Sequence, residues 1–238
     1  MVLRFLLAGM IILASCVAIE RNNPDDSGSV NYMEGVLSGK DKGNDIDNYR
    51  TKQIGTQVWM AENLDYNVGN SRCNEYNDAK CKIYGRLYDW ATAMGLSPDC
   101  NFTSCASQID ANHRGICPKG WHIPSDTDWN VLMKFVNPSC SDNSNCADAG
   151  EHLKATSGWF GNEGQDTYGF AALPGGDDSS NAGSFGCWWS SSEYDTNDAF
   201  YRTVSSIGVG YYHECYREAF SHTSTSKKCM YSVRCVQD

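Results

Sequence analysis

No run of lysine or arginine occurs anywhere in these 238 residues, and the formal net charge is −10 at pH 7. Phosphate backbones are gripped through a basic footprint, so nucleic acid is set aside as a partner. The acidic balance by itself speaks only for solubility. Cys-x-x-Cys pairs of the kind zinc sites use are also missing, although there are 12 cysteines. Cysteine at that density without a metal spacing points to an oxidising compartment, where disulfides persist. His113, His122, His152, His213 and His222 include neither a His-Glu-x-x-His motif nor an i, i+4 pair, which removes the usual helical zinc site. Ser190, Ser191 and Ser192 sit in no Gly-x-Ser-x-Gly elbow, so they read as a strand with outward hydroxyls. No apolar run reaches the roughly 20 residues of a membrane span, and no solenoid-length repeat is visible.

What is present describes a globular, loop-rich chain: 7 Trp, 13 Tyr, 8 Phe and 22 Gly. Residues 1–16 carry Arg4 and then a short apolar run, the pattern of a secretory signal. The run ends in Leu13-Ala14-Ser15-Cys16, which resembles the bacterial lipobox. That resemblance implies lipidation of Cys16 and a protein anchored to a membrane without spanning it. Val17 after the cysteine, by analogy with enteric lipoproteins, favours the outer membrane or cell surface. Residues 17–45 are polar and without periodicity, and read as a flexible tether. Residues 46–238 are then expected to form one domain.

The strongest local signal lies in residues 117–136, CPKGWHIPSDTDWNVLMKFV. Pro124 holds Ile123 extended. Ser125 and Asp128 form a capping box, and Asp126 and Asp128 suit the first helical turn. Trp129, Leu132, Met133 and Val136 then give one apolar face of a helix. Residues 84–94 predict a second amphipathic helix with Leu87, Trp90, Ala91 and Met94 on one face and Gly95 as its stop. Residues 49–60 predict a hairpin turning at a glycine, and further strands are expected at 168–176, 187–192, 199–204 and 231–236. Two helices among short antiparallel strands and long loops make an α+β domain.

In order, GTQVWMAENLDY, GRLYDWATAM, CPKGWHIPSDTDWNVLM, GFAALPGG, WWSSSE and SVRCV resemble the Fibrobacter succinogenes major paralogous domain over residues 47–238. It is more distantly similar to the formylglycine-generating, sulfatase-modifying domains. There, an LP-T-x-x-E-W segment corresponds to residues 123–129 and a Gly-Phe-Arg strand to Ser232-Val233-Arg234. That second resemblance implies a C-type-lectin-like fold.

With Cys16 lipidated, eleven cysteines remain. Cys73–Cys81, Cys100–Cys105 and Cys140–Cys146 are each local to one loop and are expected as pairs. Cys117 and Cys235 flank the two strongest motifs and are expected to form a long bridge. Cys187, Cys215 and Cys229 are left for one bridge and one thiol. Cys229 and Cys235 resemble the redox pair of the sulfatase-modifying enzymes, but their spacing differs and Cys235 is better explained as the partner of Cys117. His122 reads as a junction histidine donating to backbone. Asp177, Asp178, Glu193, Asp195 and Asp198 lie in loops that, in lectin-like folds, hold calcium through oxygens. The tripeptides of calcium-dependent sugar binders are absent, so no cofactor is expected, with calcium as the lesser alternative. Trp159, Trp188, Trp189, Tyr194, Tyr211 and Tyr212 are the candidates for an exposed ligand platform. Strand alternation lets only one of Trp188 and Trp189 face outwards. The chain is therefore expected to be a non-enzymatic surface lipoprotein binding polysaccharide or an envelope protein. The alternatives are a formylglycine-generating-type oxidoreductase and a purely structural envelope protein.

Overall fold

A computed structural model describes residues 42–146, 148–161, 163–177, 179, 181–206 and 220–238. Cys16, Tyr211, Tyr212, His213, Cys215 and Asp178 lie outside them. The described strands are β1 (Thr51–Ile54), β2 (Gln57–Met60), β3 (Ser71–Arg72), β4 (Leu87–Tyr88) and β5 (Trp121–His122). They continue with β6 (Phe185–Glu193), β7 (Asp198–Ser205), β8 (Ser221–Ser226), β9 (Tyr231–Ser232) and β10 (Val236–Gln237). The helices are α1 (Asp78–Tyr84), α2 (Trp90–Met94), α3 (Asp126–Val136) and α4 (Ala149–Leu153). Among the described residues one sheet runs β1-β2-β10-β5 and the other β3-β4-β9-β6-β7-β8. The domain is α+β, with more helices than the two expected.

Local chemistry explains where the sequence reading succeeds. The β1–β2 hairpin turns at Gly55, with Thr51 opposite Met60. Helix α3 opens with the full capping box: Ser125 Oγ accepts from Asp128 N at 3.3 Å, and Asp128 Oδ2 accepts from Ser125 N at 2.9 Å. Its face of Trp129, Leu132, Met133 and Val136 is buried.

Three expectations are corrected. The helix expected over residues 84–94 is only its second half, because Leu87 and Tyr88 pair with β9 as a strand. Asp89 then caps α2 by accepting from Thr92 N at 2.8 Å. Residues 168–176 form no strand; Ala172 and Gly176 make only isolated bridges. The single C-terminal strand is two, β9 and β10, in different sheets. Between them the chain gives the Val233 carbonyl to Leu64 N at 2.8 Å and the Cys235 carbonyl to Met60 N at 3.0 Å.

This crossing is the centre of the molecule. Trp188, Trp59 and Val236 belong to one apolar cluster with Trp129, Phe170 and Phe220. Trp189, Met60 and Cys235 belong to another with Trp90, Tyr201 and Tyr231. Neighbouring residues of one strand thus enter different cores, as in a sheet covered on both faces. Arg234 is fully buried at the seam. It donates to Asn63 Oδ1 through Nη2 at 2.7 Å and Nε at 3.2 Å, and to the carbonyls of Phe170 and Ala171. Its guanidinium stacks 4.3 Å from the Phe170 ring and 5.7 Å from that of Trp188. Asn63 Oδ1 also accepts from Trp188 Nε1 at 2.8 Å. Burial lowers the Arg234 pKa to about 9 despite the charges of Asp166 and Glu62.

Disulfides join Cys73–Cys81, Cys100–Cys105, Cys117–Cys235 and Cys140–Cys146. Cys187 is a buried thiol whose sulfur lies 3.3 Å from Thr203 Oγ1. Cys229 is disulfide-bonded and Cys235 is joined to Cys117, so Cys229 and Cys235 belong to separate bridges.

His122 bonds carboxylates where a backbone partner was expected. Its Nδ1 lies 2.9 Å from Asp238 Oδ1 and its Nε2 3.4 Å from Asp128 Oδ2, tying the C-terminus to the α3 cap. Burial alone would lower this imidazole's pKa, but the two carboxylates outweigh it and hold the value above 6.5. Burial would raise Asp128, yet bonds from His122 and Ser125 hold it below 3.8. The His122 contribution to stability is therefore complete below pH 6.5 and lost as pH rises through the raised folded value. That of Asp128 is present above pH 3.8 and lost as pH falls through its depressed value. The unfolding midpoint is expected to drop on the alkaline side more steeply in the wild type than in His122→Gln. Parallel alkaline slopes in thermal scans would remove His122 as the cause.

Candidate binding surface

One end of the six-stranded sheet is built by three loops converging on a buried lysine. Lys227 Nζ bonds the Glu193 carboxylate, the Thr196 carbonyl at 2.9 Å and the Thr103 carbonyl at 3.2 Å, and lies 4.9 Å from the Trp90 ring. Glu193 in turn accepts from Ser104 Oγ at 2.9 Å and Cys105 N at 3.1 Å. The β6–β7 turn, the Cys100–Cys105 loop and the turn after β8 are thereby locked together. Burial would raise the Glu193 carboxyl, but its bonds from Lys227, Ser104 and Cys105 keep it below the usual carboxylate range.

On this rigid support stands Tyr194, 57% exposed. Its ring meets Phe200 edge-on at 5.2 Å, and Phe200 stacks on His222 at 4.6 Å. Phe200 and His222 come from β7 and β8, which pair with Phe200 opposite Ser224 and Arg202 opposite His222. His222 Nε2 lies 3.0 Å from Asp126 Oδ2, and Asp126 N donates to Ser192 Oγ at 3.1 Å. Beyond Asp126, Arg202 donates through Nη2 to Asn130 Oδ1 at 2.7 Å and through Nη1 to the Ser144 carbonyl at 3.2 Å. Burial takes the Arg202 pKa down to about 10, against the charges of Asp126 and Asp142. Asn143 and Asn145 expose amides along the same margin, Asn145 Oδ1 accepting from His222 N at 3.0 Å. The result is an exposed Tyr194 ring leaning on the partly buried Phe200, with the exposed amides of Asn143 and Asn145 along the margin, while the His222 ring and the Asp126 carboxylate are largely buried behind it. An exposed ring beside exposed amides offers apolar contact and hydrogen bonding side by side.

The platform read from the sequence is only partly here. Trp159 is 4% exposed, and Trp188 and Trp189 are fully buried. Both faces of β6 are covered, so neither alternate position reaches solvent, and these three tryptophans are core. Tyr194 is exposed, and Tyr211 and Tyr212 fall outside the described residues. His222 was missed because β8, SHTSTS, is an edge strand with little apolar content, and Phe200 because β7 offers Tyr201 and Val204 beside it with nothing to single it out. Of the proposed calcium carboxylates, Glu193 is held by Lys227, and Asp195 accepts from Asn197 N and Asp198 N at 2.8 and 2.9 Å. Among the described residues no three His, Cys, Asp or Glu side chains gather to hold a metal ion.

Fold and surface together define a disulfide-stapled α+β domain with a rigid aromatic edge. Residues 53–237 match the Fibrobacter succinogenes major domain, and the chain belongs to that family. No curated protein and no solved structure matches the chain. Among the described residues no helix is long and apolar enough to cross a membrane.

Proposed function

We propose that this domain is a non-catalytic binding module with a lectin-like fold and that its ligand is a polysaccharide. The lipobox-like Cys16 supports an exported protein tethered to the outer membrane or cell surface. The observation that carries the reading is the exposed Tyr194 ring, backed by Phe200 and His222, on loops already locked by Lys227. Rings held in place before the ligand arrives lose little freedom on binding. No cofactor enters this reading, and the polar groups beside the rings serve to orient the ligand.

Affinity electrophoresis of the full chain through gels carrying individual polysaccharides tests it. Tyr194→Ala and Phe200→Ala are each expected to weaken retention about ten-fold, about 1.4 kcal/mol. Tyr194→Ala should leave the unfolding midpoint unchanged, since its ring is largely in solvent. Retention by no polysaccharide, or retention untouched by both substitutions, would overturn the assignment and turn attention to an envelope protein as the partner.

A further inference from the structure

A concave site on the described residues shares no residue with the aromatic surface. A basin of about 280 Å³ is lined by, among others, Lys42, Arg50, Glu62, Asp65, Lys82 and Ile83. Three elements meet there: the stretch leading into β1, the residues just after β2, and the last turn of α1. Gly85, at φ +75°, lets the end of α1 lie directly on Asn63, where any Cβ would come within 2.8 Å of the Asn63 Cβ.

The charges are arranged unevenly between wall and mouth. Glu62 accepts from Lys42 Nζ, from Arg50 Nε at 2.8 Å and from Arg50 N at 3.2 Å. Burial would raise its carboxyl, but those bonds keep it below the usual carboxylate range. Asp65 Oδ1 faces Arg86 Nε at 3.4 Å, both side chains being largely buried. The two acids are thus engaged within the wall. The Arg50 side chain is 69% exposed and that of Lys42 37%, while Lys82 lies in solvent. At the mouth, therefore, N–H donors with positive charge outnumber acceptors, in a chain whose formal charge is −10. Arg50 and Lys42 are already oriented by Glu62, so less side-chain freedom is lost when a ligand arrives. Ile83, 59% exposed, adds an apolar edge at the rim.

We propose that this basin binds a small sugar acid, a single uronic acid ring. Its carboxylate takes charge-assisted hydrogen bonds from Arg50 and Lys82, and its C–H face lies against Ile83. The volume falls just below the roughly 300 Å³ at which pockets for larger ligands begin, which fits one ring and not an oligomer. Elsewhere the acidic surface repels a carboxylate, so capture is local and weakens as salt screens it.

The test is calorimetric titration of the full chain with glucuronate, with glucose and inorganic phosphate as comparison probes. Saturable, salt-sensitive binding of glucuronate is expected, with none of glucose. The double substitution Arg50→Gln with Lys82→Gln is expected to weaken it at least about ten-fold, each lost charge-assisted bond being sufficient for that. Both side chains are exposed, so an unchanged unfolding midpoint certifies the fold of the variant. Absence of glucuronate binding, equal binding of glucose, or unchanged affinity in the double variant overturns the site. Phosphate bound as tightly as glucuronate overturns its assignment to a sugar acid. None of these outcomes bears on the aromatic surface, which is read separately through Tyr194.

Discussion

Arg234→Ala is expected to destabilise the domain by about 4 kcal/mol and lower its unfolding midpoint by roughly 10 °C. Three costs combine. Asn63 Oδ1 keeps only Trp188 Nε1 of the three donors it now accepts. The carbonyls of Phe170 and Ala171 lose their guanidinium donors in a buried seam, at about 1–3 kcal/mol for each orphaned group. The space between Phe170 and Trp188 is left unfilled, with a cavity term added. Arg234→Lys is expected to recover only a minor part, because a point charge cannot supply the fork that bonds Asn63 and both carbonyls at once. Urea and thermal unfolding followed by tryptophan fluorescence measure this, Trp188 lying directly against the site. A loss under about 1 kcal/mol for the alanine variant would show that neighbouring groups re-pair, and that the seam does not depend on Arg234.

Removing the Cys117–Cys235 bridge is expected to cost most among the disulfides joining described residues. The two residues are 118 apart in sequence, against 5 for Cys100 and Cys105. In the chain-entropy description, the constraint on the unfolded chain is worth about 5 kcal/mol for the long loop and about 2 for the short one. The long bridge also holds β10 beside β5, where Val236 pairs with His122 and Gln237 with Trp121. Without it, the short C-terminal strand can fray from both β2 and β5. The double variant Cys117→Ser with Cys235→Ser should therefore unfold at clearly lower urea than Cys100→Ser with Cys105→Ser. Equal midpoints would mean that the reduced chain retains structure that already limits its freedom. The Cys100–Cys105 pair has another role, because it holds the loop that Lys227 and Glu193 gather under Tyr194. Its removal should weaken polysaccharide retention more than stability.

Helix α3 and its capping box were legible because every determinant lies within a dozen consecutive residues. Ser125, Asp128 and the spacing of Trp129, Leu132, Met133 and Val136 suffice without any partner. The same locality explains the β1–β2 hairpin at Gly55 and the disulfide loops, whose cysteines are close in sequence. The stretch over residues 84–94 was misjudged because Leu87 fits a helical stripe as well as a strand position. Only pairing with β9, contributed by the far end of the chain, decides between them.

The candidate surface was harder to read than the fold. Trp188-Trp189 gave the strongest aromatic signal, and both rings are core, because alternation predicts an exposed side only where one face of a sheet meets solvent. Arg234 within SVRCV carried a signal of its own, a charged residue inside an apolar strand. Its meaning required Asn63 and Phe170, far away in sequence. His222 looked unremarkable among serines and threonines, and Phe200 between Ala199 and Tyr201, until β7 and β8 set them side by side.

The amino-acid sequence alone determined helix α3, the β1–β2 hairpin, the loop-local disulfides and the family, since these rest on spacing and ordered motifs. Tertiary structure decided which aromatics are buried, how one C-terminal segment serves two sheets, and which carboxylates face histidine or lysine. Those outcomes depend on contacts between distant segments, and a sheet covered on both faces erases the alternation from which exposure would otherwise be read.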